Sequence, residues 1–148
     1  MTSKFPAKLV VDANVILSAV VGGKASDLVW AVPSQLVTAA YALQEVMQYS
    51  LTLAEKADVP LEVALGALRL LPITAVRRSF YGARMAQVRD LIGSRDPDDV
   101  DLLALALKLE SPIWTNDCDF QGLGVVIYTT AQLASMSDRP TQSEQGVG

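Results

Sequence analysis

A chain of 148 residues is long enough for one domain and too short for two comfortable ones. About half of it is hydrophobic (51%) and only 19% is charged, which excludes a wholly disordered chain. The net charge of −4 argues at first against a polyanionic partner, and the absence of histidine excludes a histidine general base, a His-ligated zinc site and a Ser-His-Asp triad.

In chain order, Lys8 to Val11 is a short apolar run ending at Asp12 and reads as a buried first strand. A helix follows through Val20 and stops at Gly22-Gly23. Ser26 is expected to cap a second short helix through Trp30, closed by Pro33. Leu36 to Thr38 reads as a second strand. Ala40 to Ala57 carries Leu43, Val46, Met47, Leu51 and Ala54 at the 3- and 4-residue spacing of an amphipathic helix. Pro60 fits the first turn of another helix running to Leu71. Pro72 to Tyr81 has no clear period. Gly82 precedes a helical pattern with Met85, Val88, Leu91 and Ile92.

The next start has the strongest local signal. Asp96 suits the cap, Pro97 the first helical position, and Asp98 and Asp99 the positive end of the helix dipole. Ala- and Leu-rich residues continue to Glu110. Pro112 to Thr115 and Val125 to Tyr128 read as strands. Residues 1–136 are thus expected to form one domain, and 137–148 a disordered polar tail. Short strands alternating with helices predict a parallel α/β sandwich. With Cys118 as its only cysteine the chain forms no intrachain disulfide. Met1 to Lys8 lacks a signal-peptide core, and no apolar run approaches the roughly 20 residues of a membrane span. A soluble, cytoplasmic protein is expected.

Charge is unevenly placed. Arg69 to Arg95 holds six arginines and one acid, whereas Asp96 to Asp119 holds seven acids and one base, Lys108. Asp12 closes the first strand and Asp117 follows the Ile113-Trp114-Thr115 strand by two residues. In a parallel sheet both strand ends open onto the edge where such folds bind ligands. Carboxylates gathered there suit a hard cation such as Mg²⁺ or Mn²⁺, which takes oxygen ligands and keeps several waters. With no histidine, metal-activated water is the natural nucleophile. Each acid also has a plain structural reading: Asp98 and Asp99 as helix-start charges, Asp12, Asp117 and Asp119 as turn formers, Glu45 as a solvated flank. Trp30, Tyr49 and Phe80 read as core or partner-contact residues rather than base-stacking platforms.

Taken together, the motifs resemble those of the PIN-domain family. Val10-Val11-Asp12-Ala13-Asn14-Val15 looks like the family's opening strand and aspartate. Asp99-Val100-Asp101-Leu102-Leu103-Ala104-Leu105-Ala106-Leu107 resembles its third acidic motif, and Pro112-Ile113-Trp114-Thr115-Asn116-Asp117-Cys118-Asp119-Phe120 its last. Glu45 fits the second acid, on the helix after strand two. The resemblance spans Lys8 to Leu133. It implies a PIN-like three-layer sandwich with a short parallel central sheet and helices on both faces. It also implies Mg²⁺- or Mn²⁺-dependent endoribonuclease chemistry, most often in the toxin of a VapC-type toxin–antitoxin pair. Carried over by position, Asp12, Glu45, Asp99 and Asp117 form the catalytic and metal-holding acids, with Asp119 and Asp101 as further candidates. Asn14 and Thr115 are supporting polar residues. Helical offsets favour Asp99 for the site, with Asp101 turned toward Lys108. Arg77, Arg78 and Arg84 are the expected RNA contacts. Leucines and valines around most of the helix after Val59 predict a homodimer. A cognate antitoxin is a further expected partner.

Two other readings compete. One is a PIN-like binding or regulatory module with weak catalysis, against which the full acid set stands. The other is a phosphotransfer enzyme with Asp12 as nucleophile. Asn14 removes the second aspartate that such a site uses as its general acid.

Overall fold

Leu9, Val10 and Val11 are all fully buried in β1 (Lys8–Val11), as in a strand covered on both faces. Side chains alternate along a strand, so Leu9 and Val11 enter one core while Val10 enters another. A computed structural model of the chain describes residues 4–56, 58–92 and 97–137. Among these, β1 is followed by α1 (Ala13–Val20), α2 (Ala25–Ala31), β2 (Gln35–Ala39), α3 (Ala40–Lys56), α4 (Leu61–Leu70) and β3 (Ile73–Val76). Then come α5 (Arg78–Tyr81), a 3₁₀ turn (Gly82–Arg84), α6 (Met85–Ile92), α7 (Pro97–Leu109) and β4 (Ile113–Trp114). A second 3₁₀ turn (Cys118–Phe120), β5 (Ile127–Tyr128) and a final helix, α8, over residues 130–137 complete the described chain.

The strands pair in the order β3-β2-β1-β4-β5, all parallel, giving the three-layer α/β sandwich. α1, α2, α4 and Leu133 of α8 pack on one face, with Val46 and Ala54 of α3. α6 and α7 pack on the other, with Tyr81, Phe120 and Ala42. The chain winds from β1 through β2 to β3 in one direction and later adds β4 and β5 in the other. Its topological switch therefore lies between β1 and β4, where the carboxyl ends of two central strands leave a crevice.

Local chemistry accounts for the element ends. Gly22 sits at φ +82°, a backbone region natural for glycine, and the Gly23 N–H returns to the Ser18 carbonyl to close α1. Pro60 lies just before α4 as its cap rather than inside the first turn. Ser26 does not cap α2: that helix starts after Lys24 without a side-chain cap and encloses Ser26. Trp30, Tyr49 and Phe80 are exposed rather than core. The expected cap Asp96 lies outside the described residues, as does the expected tail over 137–148 apart from Ser137, which ends α8. No helix among the described residues is long and apolar enough to cross a membrane.

α7 is buried from Val100 to Ala106, so Asp101 is 1% exposed inside a hydrophobic layer. An ionised carboxylate there needs partners. Arg78 supplies two, Nε and Nη2 at 2.9 Å from the two carboxylate oxygens, and the buried Tyr81 hydroxyl donates a third bond. The Arg78 guanidinium also lies 4.8 Å from the centre of the Tyr41 ring. Asp101 thus turns to Arg78, not to Lys108, whose ammonium sits over Phe80. These contacts fasten α5 and the start of α3 to α7.

Breaking one partner should leave Asp101 buried with a deficit of donors. Arg78→Ala is expected to destabilise the fold by about 3 kcal/mol, the low end for a buried pair because the guanidinium is half exposed. Tyr81→Phe is expected to lose about 1–3 kcal/mol. Urea denaturation checks both, and unchanged midpoints for the two variants would show that the network contributes nothing.

Candidate active site

Asp12 follows the last residue of β1 and caps α1, so its backbone is pinned from both sides. Its N–H donates to the Trp114 carbonyl of β4 at 3.0 Å, and its carbonyl accepts from Val15 and Ile16 of α1. One residue earlier, the Val11 carbonyl accepts the buried Thr38 hydroxyl of β2 at 2.8 Å. The Asp12 carboxylate is then oriented by Thr115, whose hydroxyl donates to Oδ2 at 2.6 Å, and by the Asn14 N–H at 3.4 Å from Oδ1. The same Thr115 oxygen accepts the Asp117 N–H at 3.1 Å. Thr115 therefore couples the two strand-end aspartates across the switch point.

Asp117 caps the 3₁₀ turn, with its Oδ1 accepting the Asp119 N–H at 2.9 Å. The loop holding it is tied down behind: Asn116 Oδ1 accepts the Thr130 N–H, and the Trp114 indole N–H donates to the Thr130 hydroxyl. Burial pushes the Asp12 carboxyl above the ordinary aspartate range. Hydrogen bonds from Thr115, Asn14 and Ala13 oppose that rise, and the nearby Asp117 charge adds to it.

A cleft of about 460 Å³ opens beside Asp12. It is lined by Asp12 and Asn14 at the sheet edge, Glu45 on α3 and Asp99 on α7, together with Tyr49, Thr52 and Lys56. Three of the four carboxylates expected from the sequence share this wall, and the fourth, Asp117, acts on Asp12 through its charge. Asp119 is exposed on the 3₁₀ turn. Asp101 is not in the cleft: it is buried and fully engaged by Arg78 and Tyr81, two residues along α7 from Asp99. The expected RNA arginines lie elsewhere too. Arg78 is committed to Asp101, Arg77 is exposed at the start of α5, and Arg84 lines a separate cleft with Glu110 and Val126. That second cleft abuts the amino ends of β4 and β5, the opposite edge of the sheet. Thr52 and Lys56 went unread in the sequence, and Tyr49 read there as a core or partner contact rather than a base-stacking platform, although the spacing of all three from Glu45 on α3 was visible.

Among the described residues no three acidic or sulfur side chains already converge on one point as a ligand cluster. The donors in the cleft are nonetheless all oxygens, and a like charge beside half-buried Asp12 leaves negative charge uncompensated. That donor set fits a hard cation of the Mg²⁺ or Mn²⁺ kind, which holds on through one or two carboxylates and fills its other positions with water.

A family model described as PIN domain matches residues 10–137. No curated protein matches the chain.

The raised Asp12 gives a pH signature for the metal-free protein. Its folded form holds the proton more tightly than the unfolded chain, so its contribution to stability is greatest below the ordinary aspartate value and is lost as pH rises through the folded one. At pH 7 the ionised carboxylate is a net cost. In EDTA at pH 7, Asp12→Asn should melt a few degrees above the parent, with the gap closing as pH falls below about 3.9. A lower melting temperature for the variant at pH 7 would refute this account of the site's electrostatics.

Proposed function

The chain belongs to the PIN-domain family, and we propose that it is a cytoplasmic Mg²⁺- or Mn²⁺-dependent endoribonuclease. The family's members are generally metal-dependent nucleases. The observation that carries the reading is the coupling of Asp12 and Asp117 through Thr115 at the sheet's switch point, with Glu45 and Asp99 on the adjoining cleft. Asp12, Glu45, Asp99 and Asp117 would hold the ion, with Asp119 at the edge of the set. When bound, the ion supplies an activated water and offsets charge at the scissile phosphate.

The chain's own residues do the remainder. Thr115 fixes the Asp12 carboxylate in one orientation, leaving its other oxygen toward Asn14. Asn14 is exposed at the cleft and is placed to donate its side-chain amide to a phosphate oxygen. The carboxylates repel a phosphodiester until they are neutralised, so ion and RNA bind cooperatively.

The finer reading, a VapC-type toxin with a cognate antitoxin, is supported by the likeness of the acidic motifs. A homodimer is supported by α4, which turns Leu61, Val63 (58% exposed) and Leu70 (73% exposed) outward. A surface helix with three large apolar groups in water gains by covering them.

Asp12→Asn, Asp99→Asn and Asp117→Asn should each lower cleavage of RNA by roughly 100-fold or more, the scale of removing a group that stabilises transition-state charge. EDTA should abolish cleavage and Mn²⁺ or Mg²⁺ restore it. Full activity in the triple variant would end the nuclease reading. Sedimentation velocity at micromolar concentration should give a dimer that Val63→Glu with Leu70→Glu converts to monomer. A monomeric parent protein would remove the dimer.

A further inference from the structure

Glu45 begins a row that extends well past the carboxylates. Tyr49, Thr52 and Lys56 line the same cleft, at offsets of four, seven and eleven residues from Glu45 along α3. At 100° per residue these positions share a stripe about 60° wide. At 1.5 Å per residue Tyr49 lies about 6 Å and Lys56 about 16 Å along the helix axis from Glu45. The row passes from carboxylate to phenol to hydroxyl to ammonium. Its acidic end meets Asp12 and Asp99, and its basic end leads away from them.

Two features of the row bear on what enters the cleft, one of them a lysine that also suits the negative end of the α3 dipole. Tyr49 leaves 56% of its surface in water beside a polar cleft, so its ring contributes little to the core. Lys56 is the one cation on this wall among the described residues. A polyanion entering the cleft meets three carboxylates, and an ion there offsets charge at one phosphate only. The next phosphates need a cation further along, where Lys56 stands.

We propose that this face of α3 is the track for single-stranded RNA, with an unpaired base stacked on Tyr49 beside the scissile phosphate and Lys56 holding a phosphate further along. The inference rests on the nuclease reading of the carboxylate end and names the residues that hold the strand beyond it, Tyr49 and Lys56. A base inside a duplex is already stacked on both faces, so only an unpaired one can lie on a ring set in a cleft wall. Thr52, between the two, can hydrogen-bond a 2′-hydroxyl or a phosphate oxygen. Stacking on one aromatic ring tolerates any base, so the track selects strandedness rather than sequence.

The test is fluorescence polarisation with a fluorescein-labelled, unstructured RNA decamer, read with all four carboxylates intact and Ca²⁺ in place of Mg²⁺ or Mn²⁺, so that the oxygen ligands are filled without turnover consuming the probe. Tyr49→Ala should weaken binding by roughly 5- to 100-fold, and Tyr49→Phe, which keeps the ring, by less than about twofold. Lys56→Gln should flatten the salt dependence by roughly 0.7 in log–log slope, and Lys56→Arg should restore it. A duplex of the same sequence should be insensitive to Tyr49→Ala. Melting temperature in EDTA should change little in both Tyr49→Ala and Lys56→Gln, because both side chains are exposed on α3, so a loss of decamer binding is not a loss of fold. Unchanged decamer binding by Tyr49→Ala, or a loss of self-association in its place, overturns the track. So does an unbound decamer. A protein that cleaves no RNA but binds the decamer through Tyr49 would sink the nuclease reading and keep the track.

Discussion

The site depends on holding a carboxylate where burial and a like charge both disfavour it. Asp12 stands at the end of the central strand, half-buried, with Asp117 close enough to raise its proton affinity further. The surrounding fold makes that position unavoidable. β1 is hydrogen-bonded to β2 on one side and β4 on the other, and Thr38 holds the Val11 carbonyl from the β2 side. The Asp12 N–H bonds to β4 while its carbonyl starts α1. With the backbone fixed on both flanks, the side chain cannot withdraw to solvent without disrupting the sheet or the helix cap. Strand order thereby turns an electrostatic cost into a pre-set ligand.

α7 presents the same requirement and its opposite within two residues. Asp99 reaches the cleft, whereas Asp101 is sealed in the layer beneath. The buried aspartate draws Arg78, Tyr81 and Tyr41 around it, and so anchors α5 and α3 against α7. Since α3 carries Glu45 and α7 carries Asp99, this network ties together the two helices that form the cleft's walls. It lies outside the cleft and still bears on the distance across it.

Much of this was legible in the sequence, for definite reasons. β1, α1, α3 and α7 announce themselves because each is long or apolar enough for its period to show, and Asp12 and Asp117 because they end apolar runs. β3 was not legible. It is an edge strand of four residues with Thr74 and Ala75 exposed, so it lacks the continuous burial that marks β1. The reach of Arg78 was hidden as well, since it joins residues 23 apart across a turn that has no clear period. A block of arginine suggested a phosphate track, but charge counted along the chain says nothing of which sheet edge it faces. Arg84 folds to the edge opposite the carboxylates. The row from Glu45 to Lys56 carried the reverse lesson: its spacing was plain on the predicted helix, yet without the cleft nothing distinguished it from an ordinary solvated face.

The two kinds of aspartate also differ in what answers their charge. Asp101 is met by a guanidinium, which returns the site to neutrality and leaves no lone pair in need of another cation. Asp12 is met by a hydroxyl and two backbone N–H groups, which orient it and ease its burial while leaving its full negative charge in place. An arginine beside Asp12 would stabilise the empty protein better, and would also occupy the position that a divalent ion must take. Neutral donors hold the carboxylate's geometry without satisfying its charge. The choice of threonine over arginine at this point in the sheet therefore suits a site that is completed from outside, and the basic group that lines the same wall among the described residues, Lys56, stands about three turns of α3 beyond Glu45.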